Sequence, residues 1–231
     1  MVFVFQATHL SREDRMTMNR QHLALATAAL ALSLAAAPVA AAAPTCPPGV
    51  PEGVGCGEPS LRAATAGTYK VDASHTSVIA RVPHLGYSYS VFRFGKVDGT
   101  LVWNPSDPAQ SKLEATVGTA SIETPVEGFA KQLSGEGFLK TAAFPNATFT
   151  STAFRPTSAT RGKVDGQLTL MGRTRPITFD VELVGAGAGF GGKPRLGIQA
   201  QATIKPQDFG LPATFDRPIK LMLDAEFEKA S

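Results

Sequence analysis

Three runs near the C-terminus constrain this chain more than anything else in it. Ile177, Phe179, Val181 and Leu183 alternate with Thr178, Asp180 and Glu182. Ile198, Ala200, Ala202 and Ile204 alternate with Gln199, Gln201 and Thr203. Ile219, Leu221, Leu223, Ala225 and Phe227 alternate with Lys220, Met222, Asp224, Glu226 and Glu228. Strand side chains point to opposite faces with period two, so each run has one apolar face and one mostly polar face. That is the signature of antiparallel sheet with one wet side, not of a parallel sheet buried on both sides.

The same reading extends upstream. Strands are predicted at residues 68–71, 78–84, 91–94, 97–103, 113–122, 147–155 and 164–171, with residues 172–176 read as a linker into the next strand. Clusters such as Asn104-Pro-Ser-Asp-Pro108 and Phe144-Pro145-Asn146 supply the turns. Residues 86–90 read as a loop or strand rim carrying Tyr87 and Tyr89. One helical stretch interrupts the pattern: Val126, Phe129, Ala130 and Leu133 fall at helical spacing. Thr124 is expected to cap it, Pro125 to occupy its first turn, and Gly135 and Gly137 to stop it. About eight to ten short strands with so little helix imply an all-β barrel or sandwich. Only a barrel removes the sheet edges, and one of about eight strands is either filled by side chains or holds one small ligand. The inward positions include Ala80, Gly99, Ala115, Ala200, Ala202 and Ala225. So many small residues leave room for an elongated apolar guest.

The N-terminus indicates export. Met18-Asn-Arg-Gln-His22 is followed by an apolar run from Leu23 to Leu34 and then Ala-rich sequence. This is a basic region, a hydrophobic segment and an Ala-x-Ala cleavage site through Ala40 and Ala42. Residues 1–42 are therefore read as leader and signal peptide, with translation starting at Met18, and the protein as periplasmic or secreted. Residues 43–67 read as a Pro/Gly-rich linker. Both cysteines, Cys46 and Cys56, lie in it, and an oxidising compartment favours a disulfide between them. The barrel is assigned to residues 68–229.

Charge and motif content exclude several functions. The net charge of +3 is dispersed, with no basic run interleaved with aromatics, so nucleic acid is not an expected partner. Asp72, His75 and His84 match no metal-ligand spacing. No serine stands in a Gly-x-Ser-x-Gly elbow, and the carboxylates are scattered on polar strand faces. Neither a cofactor nor a catalytic residue is assigned.

Several motifs, taken in order, resemble one family. Asp72-x-x-His75 and His84-Leu85-Gly86 open the domain; Phe94-x-x-Val97-x-Gly99 follows. Next come Phe144-Pro145-x-Ala147-x-Phe149-x-Ser151 and Gly166-x-Leu168-Thr169-Leu170-x-Gly172-x-Thr174-x-Pro176. Asp208-Phe209-Gly210 closes the series as a turn with an aromatic anchor. This pattern resembles the YceI-like family of exported lipid-binding proteins. The resemblance implies an extended lipocalin-like antiparallel barrel with a short helix near one mouth. Its cavity would hold an amphiphilic lipid such as a polyprenyl quinone or a fatty amide. The chain would be a carrier or sequestering protein, not an enzyme. Phe129-Ala130, Gly137 and Phe92 depart from the family pattern and make the mouth helix more apolar than usual.

The candidate ligand contacts follow. His84 shares its strand parity with Val78, Ala80 and Val82, so it is expected to aim inward. There it would bond a ligand head group or satisfy a backbone carbonyl. His75 belongs with the Asp72 turn. Tyr87 and Tyr89 are placed at the mouth. Phe92, Phe94, Phe129, Phe138, Phe149 and Phe179 are candidates for contact with the tail, and each could as well pack the core. A lipid carrier is compatible with transient membrane contact and with a homodimer. The alternative is an exported enzyme acting on a small hydrophobic substrate with His84 as general base.

Overall fold

The computed structural model describes residues 46–230; the leader and its cleavage site lie outside the described residues. The strands are β1 (Gly67–Val71), β2 (Ser77–His84), β3 (Ser88–Phe94), β4 (Val97–Trp103), β5 (Lys112–Gly118) and β6 (Ile122–Glu123). After the helix α1 (Phe129–Ser134) come β7 (Asn146–Pro156), β8 (Arg161–Leu170), β9 (Arg173–Ala188), β10 (Pro194–Ile204) and β11 (Ile219–Lys229). Every described ladder is antiparallel.

The order β1-β4-β5-β7-β8-β9-β10-β11 closes on itself through the pairing of β1 with β11. Eight strands therefore form a closed antiparallel barrel. β11 is long enough to take two partners on one edge: Phe227 lies opposite Val71 of β1, and Leu223 opposite Val78 of β2. β1 and β2 thus act as one wall, interrupted where Asp72 caps a single 3-10 turn, Ala73–His75. The Asp72 carboxylate accepts from the Ser74 N–H at 3.0 Å and bonds His75 Nδ1 at 2.8 Å. Thr76 bridges the interruption, its hydroxyl accepting from the Glu226 N–H at 3.1 Å. From β2 the sheet continues through β3 to β6, which ends it. At that end the wall is completed by α1, Phe129 lying 6.1 Å from Phe92 of β3 between ring centroids.

The predicted alternation is present in all three long C-terminal strands. Ile177, Phe179 and Leu183 of β9, Ala200, Ala202 and Ile204 of β10, and Ile219, Ala225 and Phe227 of β11 are buried. Two local expectations change. Residues 172–176 are not a linker: Met171 and Gly172, at φ 51 and 71, make a two-residue turn, and β9 begins at once. Left-handed backbone at both turn positions matches the right-handed twist of the flanking strands. The helix starts at Phe129 with Gly128 at its cap; Thr124 instead accepts from the Val126 N–H. Of the loop-or-rim stretch, Tyr87 lies in the turn and Tyr89 within β3.

The segment before β1 is also not a free linker. Cys46 and Cys56 form a disulfide. Just beyond it, Glu58 and Ala186 exchange two backbone hydrogen bonds of 2.9 Å, pinning the chain to the end of β9. Leu61–Ala63 form a short 3-10 turn, and Ala64 is buried at 2% exposure. The Trp103 indole N–H donates to the Ala64 carbonyl at 3.2 Å. Buried Tyr69 donates to the Thr65 carbonyl at 2.7 Å. This strap lies over one end of the barrel.

Candidate functional site: an apolar lumen in two parts

The inward faces enclose two cavities. The proximal one, of about 150 Å³, lies at the α1 end. β2 contributes Val78, Ala80 and Val82, and β11 contributes Ile219, Leu221 and Leu223. The remaining wall comes from β3, β8, β9, α1 and the segments around Phe138 and Phe215, whose rings meet edge-on at 5.9 Å. The distal cavity, of about 120 Å³, is lined by Leu101, Trp103, Phe154, Leu183 and Leu196 and covered by Leu61 and Ala64 of the strap.

Phe149 and Phe179 stand between the two, edge to face at 5.2 Å between centroids. Their position follows from the strands that carry them. On β9, Phe179 faces the proximal cavity and Val181 the distal one. On β7, Ala147 faces the proximal cavity and Phe154 the distal one, with Phe149 between. A Cβ on Gly166 would come within 2.4 Å of the Phe149 ring. The small residues of the lumen are thus used in part to seat aromatic rings, and in part, as at Ala80 and Ala147, to leave space.

The lumen offers almost nothing polar. Thr119 reaches the proximal wall, and its hydroxyl already donates to the Phe144 carbonyl at 2.7 Å. No buried side-chain nitrogen or oxygen among the described residues lacks a partner. A group needing hydrogen bonds would therefore be left unsatisfied inside, at a cost of about 1–3 kcal/mol.

The candidate residues separate accordingly. Phe92, Phe94, Phe138 and Phe179 line the proximal cavity. Phe149 divides the lumen, and Phe129 packs against the core without forming cavity wall. His84 is not inside: it keeps the parity of Val82 but lies past the rim, exposed at the last position of β2. Inward parity there runs beyond the cavity lining, which stops at Val82, and a period-two count cannot detect that. Tyr87 and Tyr89 are likewise outside the lumen, 89% and 55% exposed. Leu133, placed on the helix by its spacing, and Leu139, Leu211 and Phe215 also line the cavity, though none was a candidate ligand contact. Apolar character and spacing mark such residues as inward but do not distinguish lining from packing.

The largest polar cluster is on the outer surface. Arg195 of β10 donates to Asp72 at 2.7 Å, to Glu226 at 2.5 Å and to Glu228 at 3.0 Å. Partial burial opposes ionisation of Asp72, but hydrogen bonds from His75, Arg195 and the Ser74 N–H outweigh it and lower its pKa to about 2. Asp72, His75 and Glu226 could together approach a cation, but Arg195 already bonds both carboxylates. The arrangement is an ion-pair network that ties β10, β11 and the β1–β2 turn together.

A family model described as the YceI-like domain matches residues 69–227, nearly the whole barrel. The chain belongs to the YceI-like family. Protein YceI of Escherichia coli O157:H7 is 37% identical over 154 residues, covering 66% of this chain and 80% of that protein. Among solved structures, Burkholderia cenocepacia BcnA is similar with a TM-score of 0.60 and 20% identity, over 68% of this chain and 98% of BcnA. A polyisoprenoid binding domain from Saccharophagus degradans is similar with a TM-score of 0.51 and 14% identity, over 72% of this chain and all of that domain. At these identities the two structures support the YceI-like barrel fold. The strap, ahead of residue 69, lies outside the matched domain.

Proposed function

We propose that this YceI-like chain is an exported carrier that binds one amphiphilic lipid, a polyprenyl chain with a polar head, in its barrel. The observation that carries this reading is the apolar wall of the lumen. Such a wall binds hydrocarbon and leaves the head group at the mouth. Each buried methylene contributes about 0.8 kcal/mol, so a chain needs few polar contacts to bind tightly. The family and the name of the Saccharophagus domain support the same class of ligand. The disulfide and the leader sequence support export.

The size of the lumen adds a requirement. A cavity near 150 Å³ matches one six-carbon ring. On that scale the proximal and distal cavities together match about two isoprene units, so even a short prenyl chain would need both, passing Phe149 and Phe179. The carrier reading also leaves His84 without a chemical task, since it lies outside the lumen; a general base there would face solvent rather than a bound substrate.

Organic extraction of protein purified from its own host, followed by mass spectrometry, tests the reading. A stoichiometric prenyl lipid is the expected result. An extract without lipid, together with no thermal protection by prenols or prenyl quinones of any length, would overturn it.

A further inference from the structure

The mouth of the proximal cavity has an outer surface that the lumen does not explain. β2 and β3 join at Leu85-Gly86-Tyr87, beyond Val82, the last residue of β2 that lines the cavity. Leu85 is 81% exposed and Tyr87 89%. The turn fixes them there: Leu85 and Gly86 sit at φ 52 and 82, and the Tyr87 N–H donates to the His84 carbonyl at 3.0 Å. A leucine in left-handed backbone is strained, and a leucine exposed to water gains nothing from burial. Tyr89 and Val91, also exposed, extend the apolar strip along β3.

Beside this strip lies a shallow groove lined by Arg81, Pro83, Tyr89, Arg217 and Lys220. The Arg81 guanidinium stacks on the Tyr89 ring, 4.6 Å from its centroid. Among the described residues, no carboxylate lies within ion-pair distance of Arg81, Arg217 or Lys220. Elsewhere on the barrel, Arg93, Arg155, Arg161, Lys163, Lys193 and Arg195 are each paired with one, whereas Lys70, Lys96, Lys112, Arg173 and Lys205 are not; what sets the groove apart is that its cations adjoin exposed apolar side chains. Unpaired cations next to exposed leucine and tyrosine, all at the cavity mouth, have the chemistry of a surface that meets phosphate above and hydrocarbon below. Tyrosine settles at that boundary, and long cationic side chains reach from it to the phosphates.

We propose that the β2–β3 turn and the adjoining cationic groove dock the mouth of the barrel onto an anionic lipid bilayer. Leu85 and Tyr87 enter the headgroup boundary, and Arg81, Arg217 and Lys220 face the lipid phosphates. The cavity then opens toward the bilayer, so a prenyl chain can pass between the two without crossing water. This extends the carrier reading, but it rests on the outer surface and can fail separately.

Flotation with vesicles tests it. The purified protein is mixed with vesicles of phosphatidylcholine alone or of phosphatidylcholine with phosphatidylglycerol, at low and high salt. Binding is expected only to the anionic vesicles, weakening as salt screens the cations. Arg81→Ala with Lys220→Ala should reduce partitioning about 25-fold, roughly fivefold for each cation removed. Leu85→Ser with Tyr87→Ser should also abolish flotation, while thermal unfolding and prenol binding in solution stay as in the wild type. Equal binding to both vesicle types, or variants that float like the wild type, would overturn docking. So would a dimer in analytical ultracentrifugation that Leu85→Ser dissociates, with no vesicle binding. Loss of prenol binding by the wild type, with vesicle binding intact, would instead remove the carrier reading and leave docking standing.

Discussion

The Phe149 ring occupies the space that a Cβ on Gly166 would need, with Cζ 2.4 Å from that position. One glycine on β8 thereby sets how an aromatic side chain on β7 divides the lumen. Gly166→Val should push the ring into the lumen and also crowd the Thr150 carbonyl, 2.5 Å from the added carbon. Overpacking of this kind costs about 1–3 kcal/mol, measurable by urea unfolding. Binding of long prenols should fall while binding of a ten-carbon prenol persists; equal loss at all lengths would contradict a dividing role.

Phe149→Ala acts in the opposite sense. Removing a buried ring costs about 3–5 kcal/mol of stability. It also joins the proximal and distal cavities. Native mass spectrometry across a series of prenols should then show the variant gaining affinity for long chains relative to the wild type. A variant that loses affinity for every length would mean that the ring is a contact and not a divider.

The strap offers a separate test at the far end. Leu61 is half-buried and covers the distal cavity, so substitutions there should spare the barrel. Leu61→Trp fills part of that cavity and should move the preferred chain length down by about one isoprene unit, each excluded methylene weakening binding by roughly fourfold. An unchanged length preference would show that the tail stops short of the strap.

Acid stability should depend on Asp72. Its pKa is about 2 in the folded chain, against an ordinary aspartate value of 3.8. A carboxylate with a lowered folded pKa adds stability that is complete above its unfolded value and disappears as pH falls through the folded one. The loss should therefore run from about pH 4 to pH 2, and Asp72→Asn should remove about 1–2 kcal/mol at neutral pH. Thermal unfolding of both proteins across that range checks this; curves that stay parallel down to pH 2 would argue against it.

His84→Ala should leave prenol affinity within about twofold, because the imidazole lies outside the lumen; a change that small is about 0.4 kcal/mol, below the worth of a typical hydrogen bond. Fluorescence competition provides the measurement. A loss of tenfold or more would place the ligand head group at His84.

The barrel was legible because period-two alternation reports a physical asymmetry, one wet face and one dry, that survives in Ile177 through Leu183 and Ile219 through Phe227. The lumen was only partly legible. Phe149 and Phe179 share the inward parity of Ala147 and Val181, yet their rings stand between the two cavities while those residues face one each. That difference depends on Gly166 across the β7–β8 ladder, a relation between strands that a single run does not contain. His84 was misplaced for a related reason: parity gives direction but not height, and on β2 the cavity lining stops at Val82. The strap was obscured by its Pro and Gly content, which predicts the absence of regular structure but not the absence of packing. The Arg195 network joins β10 to residues more than 120 positions away in sequence at Asp72, and no local pattern signals such a partner.

The sheet ends at β6, and beyond it the lumen is walled by α1 and the residues that follow. Between paired strands, parting two wall elements would break a row of backbone hydrogen bonds. Here it requires only that Leu133, Phe138 and Leu139 slide off their apolar neighbours, and an arriving hydrocarbon chain supplies replacement contacts of the same kind. On the carrier reading, entry of cargo would be uncoupled from unfolding: the barrel would keep its ladders intact while this panel exchanges protein for lipid, on the microsecond-to-millisecond scale of loop and helix displacement rather than that of global opening.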